Sequence, residues 1–198
     1  GHHGHNVHFL IHSLNLDGRY QESMKQVAHL MNDFKETPRE RRGNSQRVAW
    51  RQGYYALVKT LVRFERWSEI LDGRTIPVYD RPEQNAWRLW AQGLAFAATD
   101  RRAEAQAAHK EMGRIAMEIG ALSSARSHLS KAAADQVFVK TPDGRQLESM
   151  LRQVDLLEKA AGAKDMARQI QASMRNNRWN DAKKTLAALT EQYKDPEV

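Results

Sequence analysis

The sequence predicts an all-α protein, an α-solenoid built from about five stacked antiparallel helical hairpins. Three observations lead to this fold class. The 198 residues include only 5 prolines and 11 glycines, whereas good helix formers such as Ala, Leu, Arg, Gln, Glu, Lys and Met dominate. Apolar residues recur along the chain with helical spacing, and a short turn motif recurs between the helical segments.

The turn motif has a turn residue, an aromatic residue two positions on, and a small residue three positions after that. Its first copy is Gly18-Arg19-Tyr20 followed by Ser23. The third residues of the copies lie at positions 20, 67, 102, 146 and 179, so the steps are 47, 35, 44 and 33 residues. Two steps are close to a repeat of about 34 residues, and the other two carry insertions. The further copies are Glu65-Arg66-Trp67 with Ile70, Asp100-Arg101-Arg102 with Ala105, the weaker Asp143-Gly144-Arg145-Gln146 with Ser149, and Asn177-Arg178-Trp179 with Ala182.

The first two hairpins are predicted at residues 5–34 and 46–72. In the first, one apolar stripe at i, i+3, i+4 and i+7 precedes the turn, and a second stripe follows it. A polar insertion at 36–45 separates the two hairpins and is predicted to be a loop. The stripe residues are Val7, Leu10, Ile11 and Leu14, then Tyr20, Met24, Val27 and Leu30 or Met31, and in the second hairpin Tyr54, Leu57, Val58 and Leu61.

Three more hairpins are predicted at residues 83–118, 121–160 and 163–192. The last of these has a stripe that runs from Ala182 through Leu186 to Leu189. Tryptophans that follow a turn are predicted to pack in the core between hairpins, because a large aromatic side chain buries much apolar surface. These are Trp67 and Trp179, and histidines on second helices or later in the chain, His29, His109 and His128, are assigned structural roles.

The repeated turn and stripes resemble those of tetratricopeptide repeat proteins. Four stretches are similar to a group of bacterial members of that family, whose proteins mostly lack an assigned activity: HNVHFL at 5–10, GR at 18–19, LVRFERWSEIL at 61–71 and WAQGLAFAATDRRAEAQ at 90–106. The resemblance implies a right-handed superhelix with a single array over residues 1–198. It also implies that the first helices of the hairpins line a concave groove that binds peptides.

Helical spacing predicts which side chains would line that groove. On the first helix, the side opposite the apolar stripe carries three histidines and an asparagine. The same offset on the later helices gives polar, cationic and aromatic groups, which suits a protein or peptide partner with acidic and apolar side chains. The predicted groove residues are His5, His8, His12, Asn15, Gln52, Tyr55, Lys59, Arg63, Trp87 and Trp90. Of the last two, one could pack inward instead, since they are only three residues apart.

The histidines allow an alternative function. His5, His8 and His12 lie about one turn apart, so two or three imidazoles could bind Zn²⁺, Ni²⁺ or Cu²⁺. This divalent transition metal is the one cofactor that the sequence suggests. No HExxH motif accompanies the histidines, and no neighbouring carboxylate is placed to orient their rings.

A second alternative is nucleic-acid binding. The formal charge is +7 at pH 7, and four arginines flank the first insertion, where they could contact phosphates. Basic residues elsewhere alternate with acidic ones, and no nucleic-acid-binding motif is present, so the sequence disfavours this class. The arginines are Arg39, Arg41, Arg42 and Arg47.

Other classes are disfavoured by what the sequence lacks. Without cysteine there is no disulfide, thiolate metal site or cysteine nucleophile. No phosphate-binding glycine loop, nucleophile elbow or paired carboxylates indicate an enzyme. The sequence shows neither a signal peptide nor a membrane span, which favours the cytoplasm. End helices without polar caps would leave apolar faces open, so a homodimer is an expectation of this fold.

Overall fold

The computed structural model describes residues 2–33, 48–79 and 81–193. These residues form helices joined by turns and loops, and no strand occurs among them. The all-α class predicted from the sequence is therefore confirmed. The polar insertion at 36–45 lies outside the described residues, as do the four arginines on which the nucleic-acid prediction depends.

Nine α-helices lie in the described part of the chain. They are α1 (His2–Leu16), α2 (Tyr20–Ala28), α3 (Ala49–Arg63), α4 (Trp67–Leu71), α5 (Pro82–Ala98), α6 (Arg102–Glu118), α7 (Leu122–Ala133), α8 (Leu147–Arg175) and α9 (Trp179–Gln192). A π-helical turn, His29–Asp33, continues α2, and two 3-10 turns, Phe138–Lys140 and Gly144–Gln146, precede α8.

Four of the predicted turns share one backbone geometry. In the first, the N–H of Arg19 donates to the carbonyl oxygen of Leu14 at 2.9 Å, which closes the end of α1, and α2 begins one residue later. Such a closure needs a left-handed residue just before the arginine. In the four turns, taken in chain order, the left-handed residue is Gly18 (φ 77°), Glu65 (φ 52°), Asp100 (φ 58°) and Asn177 (φ 55°).

A fifth turn of this kind was not predicted. Gly120 has a φ of 75°, and the N–H of Ala121 donates to the carbonyl oxygen of Ala116 at 2.8 Å. The aromatic position of the motif is Leu122 here, so the sequence pattern was incomplete. The five turns also share a buried residue on the helix that follows, at the position of the predicted small residue: Ser23, Ile70, Ala105, Ala125 and Ala182.

The weak copy of the motif at Asp143–Gln146 is not a turn of this kind. Asp143 is right-handed (φ −68°), and Gly144–Gln146 forms a 3-10 turn that leads into α8. The glycine is needed there for a different reason. A Cβ at Gly144 would lie 2.0 Å from the carbonyl oxygen of Phe138, so only glycine allows the two backbones to approach this closely.

The predicted break between the fourth and fifth hairpins is also wrong. Positions 160 and 163 both lie inside α8, which runs without interruption through 29 residues. The helix tolerates Gly162 at this point, where a Cβ would lie 2.7 Å from the Tyr193 hydroxyl oxygen. The glycine therefore admits the end of the neighbouring segment rather than ending the helix.

The chain divides into two compact units, Gly1–Ile115 and Ala116–Val198. In the first unit, α1 packs on α2 and α3, and α3 packs on α4 and α5. Its core contains Val7, Ile11, Val27, Leu30, Tyr54, Leu57, Val58, Leu61, Ile70, Ala91 and Ala95. In the second unit, α8 packs on both α7 and α9, around Ala125, Leu129, Phe138, Leu147 and Val154. A single array over 1–198 and its superhelical form stay predictions.

Some predicted core residues lie at the surface. Leu10 is 45% exposed, although it belongs to the predicted stripe of α1, because α2 and α3 cover only the side that carries Val7, Ile11 and Leu14. Trp179 is 53% exposed, so the prediction that it packs in the core is wrong. Trp67 is partly buried and packs against the core of the first unit, as predicted.

Candidate ligand-binding face

The first helices of the first two predicted hairpins, α1 and α3, lie side by side and run in the same direction. His8 Nδ1 lies 3.2 Å from the carbonyl oxygen of Gln52, and the Asn15 side-chain amide donates to the Thr60 hydroxyl at 2.9 Å. Moving seven residues along α1 thus corresponds to moving eight along α3, which means that the helices are parallel and in register.

The helix α5 continues this arrangement on the other side of α3. The Tyr54 hydroxyl donates to the carbonyl oxygen of Gln84 at 3.3 Å, and the Lys59 ammonium lies 5.3 Å from the ring centroid of Trp87. Contacts thus join His8 to Gln52 and Lys59 to Trp87 across three helices from distant parts of the sequence, and helical spacing assigns the other predicted groove residues except Asn15 to the same side. We call this surface the first-helix face, defined by His5, His8, His12, Gln52, Tyr55, Lys59, Arg63, Trp87 and Trp90.

His8 is the most enclosed of the described histidines on this face. Burial lowers its pKa, the contact with the Gln52 carbonyl opposes that shift, and the nearby Lys59, His5 and His12 lower the pKa further. His5 and His12 are exposed, and the His5 ring meets Phe9 edge to face with centroids 4.7 Å apart. Because all three charges act on His8, these four basic groups share one neighbourhood of the surface.

Aromatic rings form the part of the face on α3 and α5. Trp87 lies between Tyr55 and Trp90, with ring centroids 5.5 Å and 5.6 Å away. The Gln84 amide donates to the Tyr55 hydroxyl at 3.0 Å and fixes that ring. Both tryptophans are half-buried against the core, so neither packs wholly inward. Lys59 above Trp87 adds a cation–π contact, which places a positive charge over an aromatic surface.

One predicted groove residue belongs to the packing instead. Asn15 is only 8% exposed, and it exchanges hydrogen bonds with the fully buried Thr60, at 2.9 Å and 3.2 Å. Its prediction as a groove residue is therefore wrong. A buried amide requires partners, and here the two side chains join α1 to α3 beneath the face.

The metal site at His5, His8 and His12 stays a prediction. Among residues 2–33, 48–79 and 81–193 there is no group of three or more His, Cys, Asp and Glu side chains that could hold a metal ion. A zinc titration of the protein followed by calorimetry tests the site. In the tautomer in which His8 Nδ1 carries the proton and donates to the Gln52 carbonyl oxygen, Nε2 is the unprotonated ring nitrogen and is the atom that would bind a metal ion.

The sequence reasoning missed an aromatic cluster next to the face. Trp50 stacks on Tyr54 and on Tyr79, with centroids 5.4 Å and 4.8 Å away. Burial raises the pKa of Tyr54 to about 12. Trp50 stands one turn before Tyr54 and could have been assigned to the same stripe. Tyr79 lies in the loop before α5, where helical periodicity gives no signal.

The other histidines have local surroundings. His29 Nδ1 lies 2.8 Å from a carboxylate oxygen of Asp33, one turn along the helix. Burial lowers the pKa of His128, and Lys131 lowers it further.

No protein-family model matches this chain, and no curated protein or solved structure matches it significantly. The resemblance to tetratricopeptide repeat proteins therefore stays a prediction. None of the helices in the described ranges is long and apolar enough to cross a membrane.

Proposed function

We propose that the protein is an interaction scaffold that binds a peptide or protein partner on the first-helix face. The observation that carries this proposal is the meeting of His8, Gln52, Tyr55, Lys59 and Trp87 on three parallel helices. These residues are far apart in sequence. A surface that combines half-buried aromatic rings with exposed cations has the composition of a protein-binding site.

The burial of the aromatic side chains supports the same function. Tyr55, Trp87 and Trp90 are held by the core and by each other, so little conformational entropy is lost when a ligand covers their remaining surface. The neighbouring Leu94 is 39% exposed and extends the apolar part of the face by one turn of α5. The proposal includes no catalytic step.

The test is a selection of short random peptides displayed on phage. The wild type is compared with a His12→Ala/Tyr55→Ala/Trp90→Ala variant on the first-helix face. A Gln21→Ala/Lys25→Ala variant on the exposed side of α2 serves as the control. Circular dichroism must show that all three proteins have equal helicity.

We expect peptides selected on the wild type to bind the α2 control equally well and to lose most of their affinity for the face variant. If the selected peptides bind the face variant as tightly as the wild type, the proposed site is wrong. If no peptide is enriched on the wild type, peptide binding itself is contradicted.

A further inference from the structure

Charge is distributed unequally between the two sets of helices. The first helices α1, α3 and α5 contain a single acidic residue, Glu83 in the first turn of α5. In the described part of this region, the second helices and the π-helical turn after α2 carry six acidic residues: Glu22, Asp33, Glu69, Glu104, Glu111 and Glu118. Among the described helices of this region, the acidic side chains thus lie on the second set, except Glu83, which precedes Trp87 by one turn on α5.

The cations of the two sets also differ in their pairing. Arginines at the turns are neutralised locally, since Arg19, Arg66 and Arg101 each pair with a glutamate three residues later. Lys59 and Arg63 are exposed on α3 and have no carboxylate partner among the residues that the structure describes. Two uncompensated cations thus stand on the face, next to the three histidines of α1.

We infer that the occupant of the first-helix face is an acidic peptide segment. Its carboxylates lie along Lys59, Arg63 and the α1 histidines, and an apolar side chain lies on Trp87 and Trp90. This inference rests on the proposed function and adds the chemistry of the partner. Charge complementarity favours an anionic ligand, because Lys59 and Arg63 have no carboxylate partner among the described residues and could each meet a carboxylate of the ligand.

The geometry of the aromatic rings favours a peptide over a nucleic acid. Single-stranded nucleic acids bind to aromatic side chains whose flat faces are open to stacking bases. Here Trp87 meets Trp90 edge to face, its ring is covered by Lys59, and both tryptophans are half-buried against the core. These rings offer edges and a narrow apolar surface, which suits a leucine or phenylalanine side chain. The two cations of the face that lack a carboxylate partner in the described residues are also few for a phosphate backbone.

The experiment uses the peptides selected from the random library on the wild-type chain. Each peptide is synthesised with a fluorescent label, together with a counterpart in which every Asp and Glu is replaced by Asn and Gln. Affinities are measured by anisotropy for the wild type, for Lys59→Gln/Arg63→Gln, and for the control Lys25→Gln on α2. A labelled single-stranded oligothymidylate is titrated alongside.

We expect the selected peptides to be enriched in Asp and Glu over the input library. Their affinity should fall about fivefold or more on the amide counterpart and on the Lys59→Gln/Arg63→Gln variant. The Lys25→Gln control should retain the wild-type affinity.

The remaining outcomes overturn the inference in different ways. If peptides are selected without acidic enrichment and bind the charge variant normally, the acidic partner is wrong while the proposed scaffold function stands. If no peptide is enriched, both proposals fail together. If oligothymidylate binds more tightly than any peptide and loses affinity on the charge variant, the ligand is a nucleic acid.

Discussion

His8 on α1 is half-buried against α3, and this burial links the protonation of its ring to the stability of the fold. Burial lowers the pKa of His8 in the folded protein below 6.5, the ordinary value of a histidine in an unfolded chain. Above that pH both states are neutral at this ring. As the pH falls below 6.5, the unfolded state takes up a proton first, so the free energy of unfolding decreases until the lower folded pKa is passed.

We therefore expect the melting temperature of the wild type to fall between neutral and mildly acidic pH, and the His8→Gln variant to show a shallower fall. The melting temperatures of the two proteins are also compared at a pH above the histidine titration range. The difference there gives the loss of packing caused by the substitution, separately from the change in pH dependence. His128, whose pKa is also lowered by burial, should contribute to the slope that remains. An identical slope in wild type and variant would contradict the assignment.

Asn15 and Thr60 form the buried polar pair beneath the first-helix face. Asn15→Ala would leave the Thr60 hydroxyl without its partner in a fully buried position, so we expect a loss of about 1–3 kcal/mol in the free energy of unfolding. Ser13→Ala on the same helix is the matched control, because the exposed Ser13 hydroxyl donates to the Phe9 carbonyl oxygen within α1. Urea titrations of both variants measure the difference, and equal losses would contradict a structural role for the pair.

The same pair shows where residue-level prediction failed. Asn15 follows His12 by three residues, the spacing that separates His5 from His8, so periodicity assigned it to the exposed side of α1. Residues that helical spacing assigns to one side of α1 point in a wide range of directions. The position of α3 decides which of them are buried. The partner Thr60 lies 45 residues away, so the sequence around Asn15 gives no signal of the hydrogen bond between them.

At the scale of the elements, the left-handed turns account for what the sequence predicts well. Gly18 has a φ of 77°, and a Cβ added there would meet no atom within 4 Å. Gly18→Ala should therefore lower stability by about 1–2 kcal/mol through backbone strain alone. Gly18→Asn should lose less, since asparagine tolerates this conformation and occupies it at Asn177. Equal losses in thermal unfolding would contradict this explanation.

Glycines in the second unit are expected to differ sharply. Gly144→Ala would bring a Cβ to 2.0 Å from the Phe138 carbonyl oxygen, and backbone cannot move aside cheaply, so we expect a loss of at least about 1–3 kcal/mol. At Gly162→Ala the added Cβ would meet the hydroxyl end of the Tyr193 side chain, which can rotate away more easily than backbone, and the helix gains propensity of roughly 1 kcal/mol. Comparable losses in chemical denaturation of the two variants would show that the close approach at Gly144 is not what matters.

The elements that the sequence misassigned share one cause. A turn of the Gly18 type is encoded by a few adjacent residues, so four copies were recognised from pattern alone. The continuity of α8 through positions 160–163 and the 3-10 turn at Gly144 depend on what packs against the backbone there. A turn can be predicted from the few residues that form it. A close approach between two segments can be seen only in the folded chain.

At the scale of the whole molecule, sequence spacing assigned the residues of the first-helix face to equivalent positions on α1, α3 and α5. The parallel register of α1, α3 and α5 brings His8, Tyr55, Lys59 and Trp87 to one surface, as equal offsets on repeated hairpins require. Spacing could not show that acidic residues avoid these helices in favour of the second set, because that contrast appears only when the helices are sorted by position. Spacing also could not predict that Trp179 is exposed, because its burial depends on whether another helix packs over that side of α9.

The central claim is that a partner binds the first-helix face, and chemical-shift mapping of the isotope-labelled protein tests it most directly. Titration with a selected peptide should perturb backbone amides around His12, Tyr55, Lys59, Arg63 and Trp90. Amides around Lys25 on α2 should stay unchanged. If the perturbed amides lie on the second helices or in the unit from Ala116 onward, the first-helix face is not the binding surface and the account is contradicted.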